Sequence, residues 1–136
     1  MKVSFEVEQT ATNSLQSSGK IFDDVLARIK ELEGIMGSLP MKIPDKATLK
    51  TIIDEKGAVY TGQTNKDQNH GFGIMKYEDG SVYAGSWLHG RPKGKGWLLS
   101  IEGDAYKGDV SNGLASGHGS QLSSDGTKYE GEWQDS

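Results

Sequence analysis

The chain has 136 residues, a formal charge of −4 and no cysteine. That length fits one domain with an appendage, and the missing cysteines exclude a disulfide framework, a thiolate metal site and a cysteine nucleophile. The acidic balance argues against nucleic-acid binding, which needs a net basic face to release counterions. No apolar run reaches the roughly 18 residues of a membrane span. MKVSFEVEQT carries a lone lysine and no apolar signal core, so a soluble, cytoplasmic protein is expected.

In residues 2–8, Val3, Phe5 and Val7 alternate with polar neighbours, the period-2 pattern of a half-buried strand. Residues 10–18 read as a polar loop. From about residue 19 to 39 the spacing predicts an amphipathic helix. Phe22, Val25, Ile29, Leu32, Met36 and Leu39 recur at alternating steps of three and four, a heptad seam. Ser18 is a candidate N-cap, and Pro40 and Pro44 stop the helix. Residues 1–47 are therefore taken as a strand-helix appendage to an array spanning 48–136.

Within that array, Tyr60, Tyr83, Tyr106 and Tyr129 recur every 23 residues, and glycines keep the same step. Such self-similarity means one structural unit copied in tandem. Each unit contains a turn ending in glycine: Lys56-Gly57, Asp79-Gly80, Glu102-Gly103 and Asp125-Gly126. Read as two-residue turns, these predict hairpins over about 49–62, 72–87, 95–110 and 118–133. The fold class is then mainly β, an elongated single-layer antiparallel sheet of 23-residue hairpins.

This register pairs Lys76 with Tyr83, Ile74 with Gly85 and Phe72 with Trp87. It gathers Tyr60, Phe72, Tyr83, Trp87, Trp97, Tyr106, Tyr129 and Trp133 on one aromatic face, a candidate protein-binding surface. A ring covering a glycine gap would explain Tyr-x-Gly-x-Trp without any ligand. The other face would carry Ile52, Val59, Met75, Tyr77, Val82 and Ala84, an apolar patch for the orphan helix to cover.

The blocks Tyr83-Ala84-Gly85-Ser86-Trp87 with Gly90, Gly94 and Gly96, and Tyr129-Glu130-Gly131-Glu132-Trp133, resemble the MORN (membrane occupation and recognition nexus) repeat. The third copy departs from it with Val110 and the first with Thr64 in place of tryptophan. The resemblance implies a meandering antiparallel scaffold in cytoskeletal, ciliary or axonemal, or membrane-contact assemblies. It brings no catalytic residues.

Nothing else in the chain suggests an enzyme, a metal or a cofactor. His70, His89 and His118 do not share a phase of the repeat, and Gly71-Phe72-Gly73 and Gly94-Lys95-Gly96 lack the strand-to-helix context of a phosphate loop. Arg91, Lys93 and Lys95, with Lys76 nearby, form a candidate contact for an anionic lipid or acidic partner. At ~1 kcal/mol per basic residue that contact is weak, and the repeats are net acidic. The expectation is a non-catalytic adaptor that binds protein subunits through the aromatic face, the open last strand and the helix, with homodimerisation as a further route. The alternative is a peripheral membrane module. A regulatory appendage of an enzyme is a third reading.

Overall fold

The computed structural model describes the backbone of residues 2–136 and the side chains from residue 19 onward. One helix, α1 (Lys2–Met36), precedes a single 3-10 turn (Lys46–Thr48) and eight strands. The strands are β1 (Lys50–Ile53), β2 (Val59–Asn65), β3 (Gln68–Lys76), β4 (Val82–Leu88), β5 (Arg91–Leu99), β6 (Ala105–Ser111), β7 (Leu114–Leu122) and β8 (Lys128–Trp133). They form one open antiparallel sheet in chain order, β1 to β8. The mainly β architecture of tandem hairpins is as the repeat demands.

The N-terminal segment differs from its sequence reading. Residues 2–8, expected as a strand, are helical backbone, and the helix runs through Ser18 to Met36. The alternation at Val3, Phe5 and Val7 is short, and no proline or glycine interrupts residues 2–18. A lone strand would have no ladder partner, whereas a helix satisfies its own backbone groups and extends cheaply once nucleated. The helix also ends earlier than expected. Gly37 adopts φ +83° and its N–H donates to Glu33 O at 2.9 Å, the left-handed C-terminal stop that glycine allows. Lys107 donates to the carbonyl of Met36, placing a cation at the negative end of the helix dipole.

The turns correct the register. Tyr77 N–H donates to Ser81 O at 2.8 Å, and Gly80 N–H to Tyr77 O at 3.0 Å. Three residues, Glu78-Asp79-Gly80, therefore separate the closing pair. Ser100 with Asp104, and Ser123 with Thr127, repeat this arrangement. These are three-residue loops ending in a left-handed glycine, such as Gly80 at φ +93°. Two-residue turns do occur, at the opposite strand ends. Lys66-Asp67, His89-Gly90 and Asn112-Gly113 all have positive φ at both residues.

The extra loop residue shifts each pairing by one. Lys76 faces Val82, Met75 faces Tyr83, Ile74 faces Ala84 and Gly71 faces Trp87. A one-residue shift exchanges the faces of one strand relative to its partner. Phe72 and Trp97 therefore leave the tyrosine face. They join Ile74, Val82, Ala84 and Ala105 in a core sealed by Phe22, Val25, Ile29 and Leu32 of α1. Met36 and Leu39 pack at its margin, half-buried. The helix does cover an apolar sheet face, and Val82 and Ala84 lie there as expected, whereas Met75 and Tyr77 lie on the opposite side. Each buried seam residue contributes about 1.5–3 kcal/mol of apolar burial.

Candidate functional site

On the face away from the helix, the pairing aligns Gly62, Gly73, Gly85, Gly96, Gly108, Gly119 and Gly131 side by side across seven strands. The result is a trough of bare backbone. The tyrosine rings lie in it. A Cβ on Gly73 would collide with the phenol end of Tyr60, one on Gly96 with that of Tyr83, and one on Gly119 with that of Tyr106. Only glycine lets a ring approach a strand this closely.

A bulge follows the trough on alternate strands, leaving Gln63, Ser86 and Asp109 outside the regular pairing with the next strand. Their carbonyls are met from below: Tyr60 Oη donates to Gln63 O at 2.6 Å, Tyr83 Oη to Ser86 O at 2.8 Å and Tyr106 Oη to Asp109 O at 2.6 Å. Each hydroxyl thus satisfies a backbone group that the bulge would orphan. Burial pushes the phenols of Tyr60 and Tyr83 far above their ordinary range and that of Tyr106 up to about 12. A buried phenol already donating to a carbonyl is poorly placed to exchange protons with a substrate.

Tryptophan roofs the rings. Trp87 meets Tyr60 and Tyr83 edge-on, with centroids 5.1 and 5.5 Å apart, and its Nε1–H donates to Gly73 O at 3.0 Å. Trp133 repeats this between Tyr106 and Tyr129, at 5.1 and 5.2 Å, donating to Gly119 O at 3.1 Å. Edge-to-face pairs of this kind add about 0.5–1.5 kcal/mol beyond area burial.

The expected aromatic surface is therefore mostly interior. Tyr60, Tyr83 and Tyr106 are 1%, 0% and 5% exposed, and Trp87 is buried with them, whereas Tyr129 is 49% exposed. Trp133 is half-buried. The reason is geometric. Each inner tyrosine lies on the glycine of the following strand, and β8 is the last strand of the sheet. Tyr129 keeps the bond to its own bulge position, donating to Glu132 O at 3.0 Å. It has a roof and no floor.

The basic cluster is not assembled as expected. Arg91 and Lys93 are exposed on β5. Lys95 is engaged by Asp109 across the β5–β6 pair. The Lys95 ammonium and the His118 N–H (2.9 Å) hold the Asp109 carboxyl below its ordinary value. Lys76 lies level with Leu99, its neighbour two strands along. That sets it about 13 Å along the strand direction from Lys95. The sequence argument placed it nearby because it did not fix where along β3 the helix-side residues fall.

Sequence reasoning missed a shallow cleft of about 290 Å³ on the tyrosine side, lined in part by Tyr77, Leu98, Tyr106, Gly113, Ala115 and Trp133. Its signal was Tyr77, the fifth tyrosine, which stands outside the 23-residue phase. Among the described residues, no helix is long and apolar enough to cross a membrane.

Residues 60–82, 83–105 and 106–128 match the family model described as MORN repeat. The chain belongs to the MORN-repeat family. Each match begins on a tyrosine of the trough, so the sequence unit and the ring-on-glycine unit coincide. MORN repeats mark this as a protein- or membrane-binding repeat module. A search among curated proteins finds no match to the chain.

Proposed function

We propose that the chain is a non-catalytic adaptor that holds protein subunits of a larger assembly, in the cytoplasm and in a cytoskeletal or ciliary setting. One observation carries this reading: among the described strands β8 pairs with β7 alone, beside an aromatic pair whose inner counterparts are buried. An unpaired strand edge offers a row of backbone donors and acceptors to another chain. The satisfied tyrosine hydroxyls add support, since the repeated polar groups are used up inside the fold. The setting rests on the family alone.

The test is affinity purification with lysine-directed cross-linking of the intact chain. Partner cross-links should concentrate at Lys128 on β8. The reading fails if the protein carries no partner and instead floats with anionic vesicles. That second result would favour a membrane module working through Arg91 and Lys93. The lipid reading is the weaker one, because Lys95 already has a carboxylate partner and Lys76 stands apart. Two free cations supply only ~2 kcal/mol at an anionic surface.

A further inference from the structure

We propose that β1 is a self-association edge: two copies of the chain join β1 to β1, antiparallel about Ile52, and one sheet continues through both. This goes beyond the adaptor reading and does not rest on it.

β1 has described chain on both sides of it, yet among the described strands it pairs with β2 alone. The segment leading into it runs from Gly37 past Pro40 and Pro44 to the 3-10 turn. The backbone N–H groups of that segment bond locally, Met41 to Leu39 O, Thr48 to Asp45 O and Leu49 to Lys46 O, and among the described residues none of these bonds reaches β1. Pairing with β2 is unbroken from Lys50 to Ile53. One row of backbone donors and acceptors therefore faces outward along a regular strand.

Sheet edges are commonly blunted by proline, by a bulge or by charge along the strand. Residues 50–53 contain no proline and no bulge, and Ile52 and Ile53 are 42% and 41% exposed. Ile52 lies opposite Tyr60, on the tyrosine side. Its counterpart one repeat later is Met75, which has a strand on each side and is half-buried. Ile52 lacks the second strand.

The strand that fits is β1 itself, turned round. Lys50-Thr51-Ile52-Ile53-Asp54 begins on a cation and ends on an anion. Antiparallel pairing centred on Ile52 sets Lys50 opposite Asp54 of the second copy, Thr51 opposite Ile53, and the two Ile52 side chains opposite each other. Lys50, Ile52 and Asp54 share one face by alternation, so an apolar pair is flanked on that face by two opposite-charge pairs, both favourable across strands. Lys50 and Asp54 take part in no ion pair among the described residues. Asp54 Oδ1 accepts from the N–H groups of Lys56 and Ala58 at 2.9 Å each, which leaves Oδ2 to an incoming lysine.

The test is sedimentation equilibrium of the full chain, with a melting curve for each variant. The parent chain should dimerise. Ile52→Lys sets two lysines face to face and should raise the dimer dissociation constant about tenfold or more, with little change in the melting curve of the dilute protein. Lys50→Glu and Asp54→Lys should each weaken self-association, and an equimolar mixture of the two should restore it, because the mixed pair regains both opposite-charge contacts. Glu132→Lys on β8 should leave the dimer unchanged. The proposal is overturned if the parent chain stays monomeric up to about 1 mM, if Ile52→Lys dimerises as well as the parent, if the two folded charge variants fail to associate when mixed, or if Glu132→Lys is the variant that dissociates the dimer. Should Asp54→Lys melt early through loss of its turn bonds, Ile52→Lys decides. A monomer that still yields partner cross-links sinks this proposal alone, and a dimer without them sinks only the adaptor reading.

Discussion

Tyr83 and Tyr129 hold the same position of the same repeat, two 23-residue steps apart, yet one is sealed and the other half in solvent. Both donate to the carbonyl three residues on, and both meet a tryptophan edge-on. Only the strand beneath differs. The unit is therefore a relation between neighbours, and a copy is completed by the copy that follows it. This is the nearest-neighbour energetics of repeat proteins, seen at one ring.

Four measurements sharpen or break that comparison. The largest effect belongs to alkali. Unfolded tyrosines ionise near 10, whereas Tyr60 and Tyr83 are held well above that and Tyr106 at about 12. The folded values are raised, so their contribution is fully present below about pH 10 and is lost as pH rises through the folded values. Urea midpoints followed from neutral pH upward should fall steeply above about pH 10. Phenolate absorbance of the sealed rings should rise together with unfolding. A flat stability profile would refute the sealing.

Next in size is the roof. Trp87→Ala removes the cover of two rings and leaves Gly73 O without its donor, an expected loss of about 3–5 kcal/mol. Trp133→Ala should cost about half of that, because its site is half-open. Equal losses in chemical denaturation would mean that the last unit is as complete as the second.

The floor comes third. A Cβ on Gly85 meets backbone of the next strand, Gly96 Cα and Lys95 O, both at 2.5 Å. Gly85→Ala should cost about 1–3 kcal/mol through overpacking. On Gly131 the nearest atom is Tyr129 Oη at 2.9 Å, the far end of an exposed side chain that can swing aside, and the backbone strain of φ +159° is what remains. Gly131→Ala should cost about 1 kcal/mol, from that strain and without the overpacking. The smallest difference is in the hydroxyls. Tyr83→Phe orphans a part-buried carbonyl, at about 1–2 kcal/mol. Tyr129→Phe exposes its carbonyl to water and should change the melting temperature little.

Much of this was legible in the sequence. The 23-residue step gave the hairpins and the ring-over-glycine principle, because a strand spacing and a bare backbone are demanded together in every copy. The register was not. Asp79-Gly80 ends a two-residue or a three-residue loop equally well, since both need a left-handed glycine, and the closing pair Tyr77 and Ser81 has no sequence mark. That single residue moved Phe72 and Trp97 beneath the helix. The burial of Tyr60, Tyr83 and Tyr106 comes instead from pairing across the two-residue turns, which sets Gly73, Gly96 and Gly119 beneath the rings. The helix seam was legible at Phe22, Val25, Ile29 and Leu32, because burial on one stripe fixes a helical period. Its N-terminal extension was not, because three alternating residues carry too little periodicity to oppose helix propagation.

The unbroken line from Gly62 to Gly131 also governs how such a protein can grow. Inserting 23 residues adds two strands and carries the line onward in phase. Inserting a single residue within a strand drives a side chain beneath a ring and lifts it, whereas the exposed loops can take extra residues without moving the line. A single-residue deletion inside a strand should therefore be worse tolerated than the loss of an entire copy.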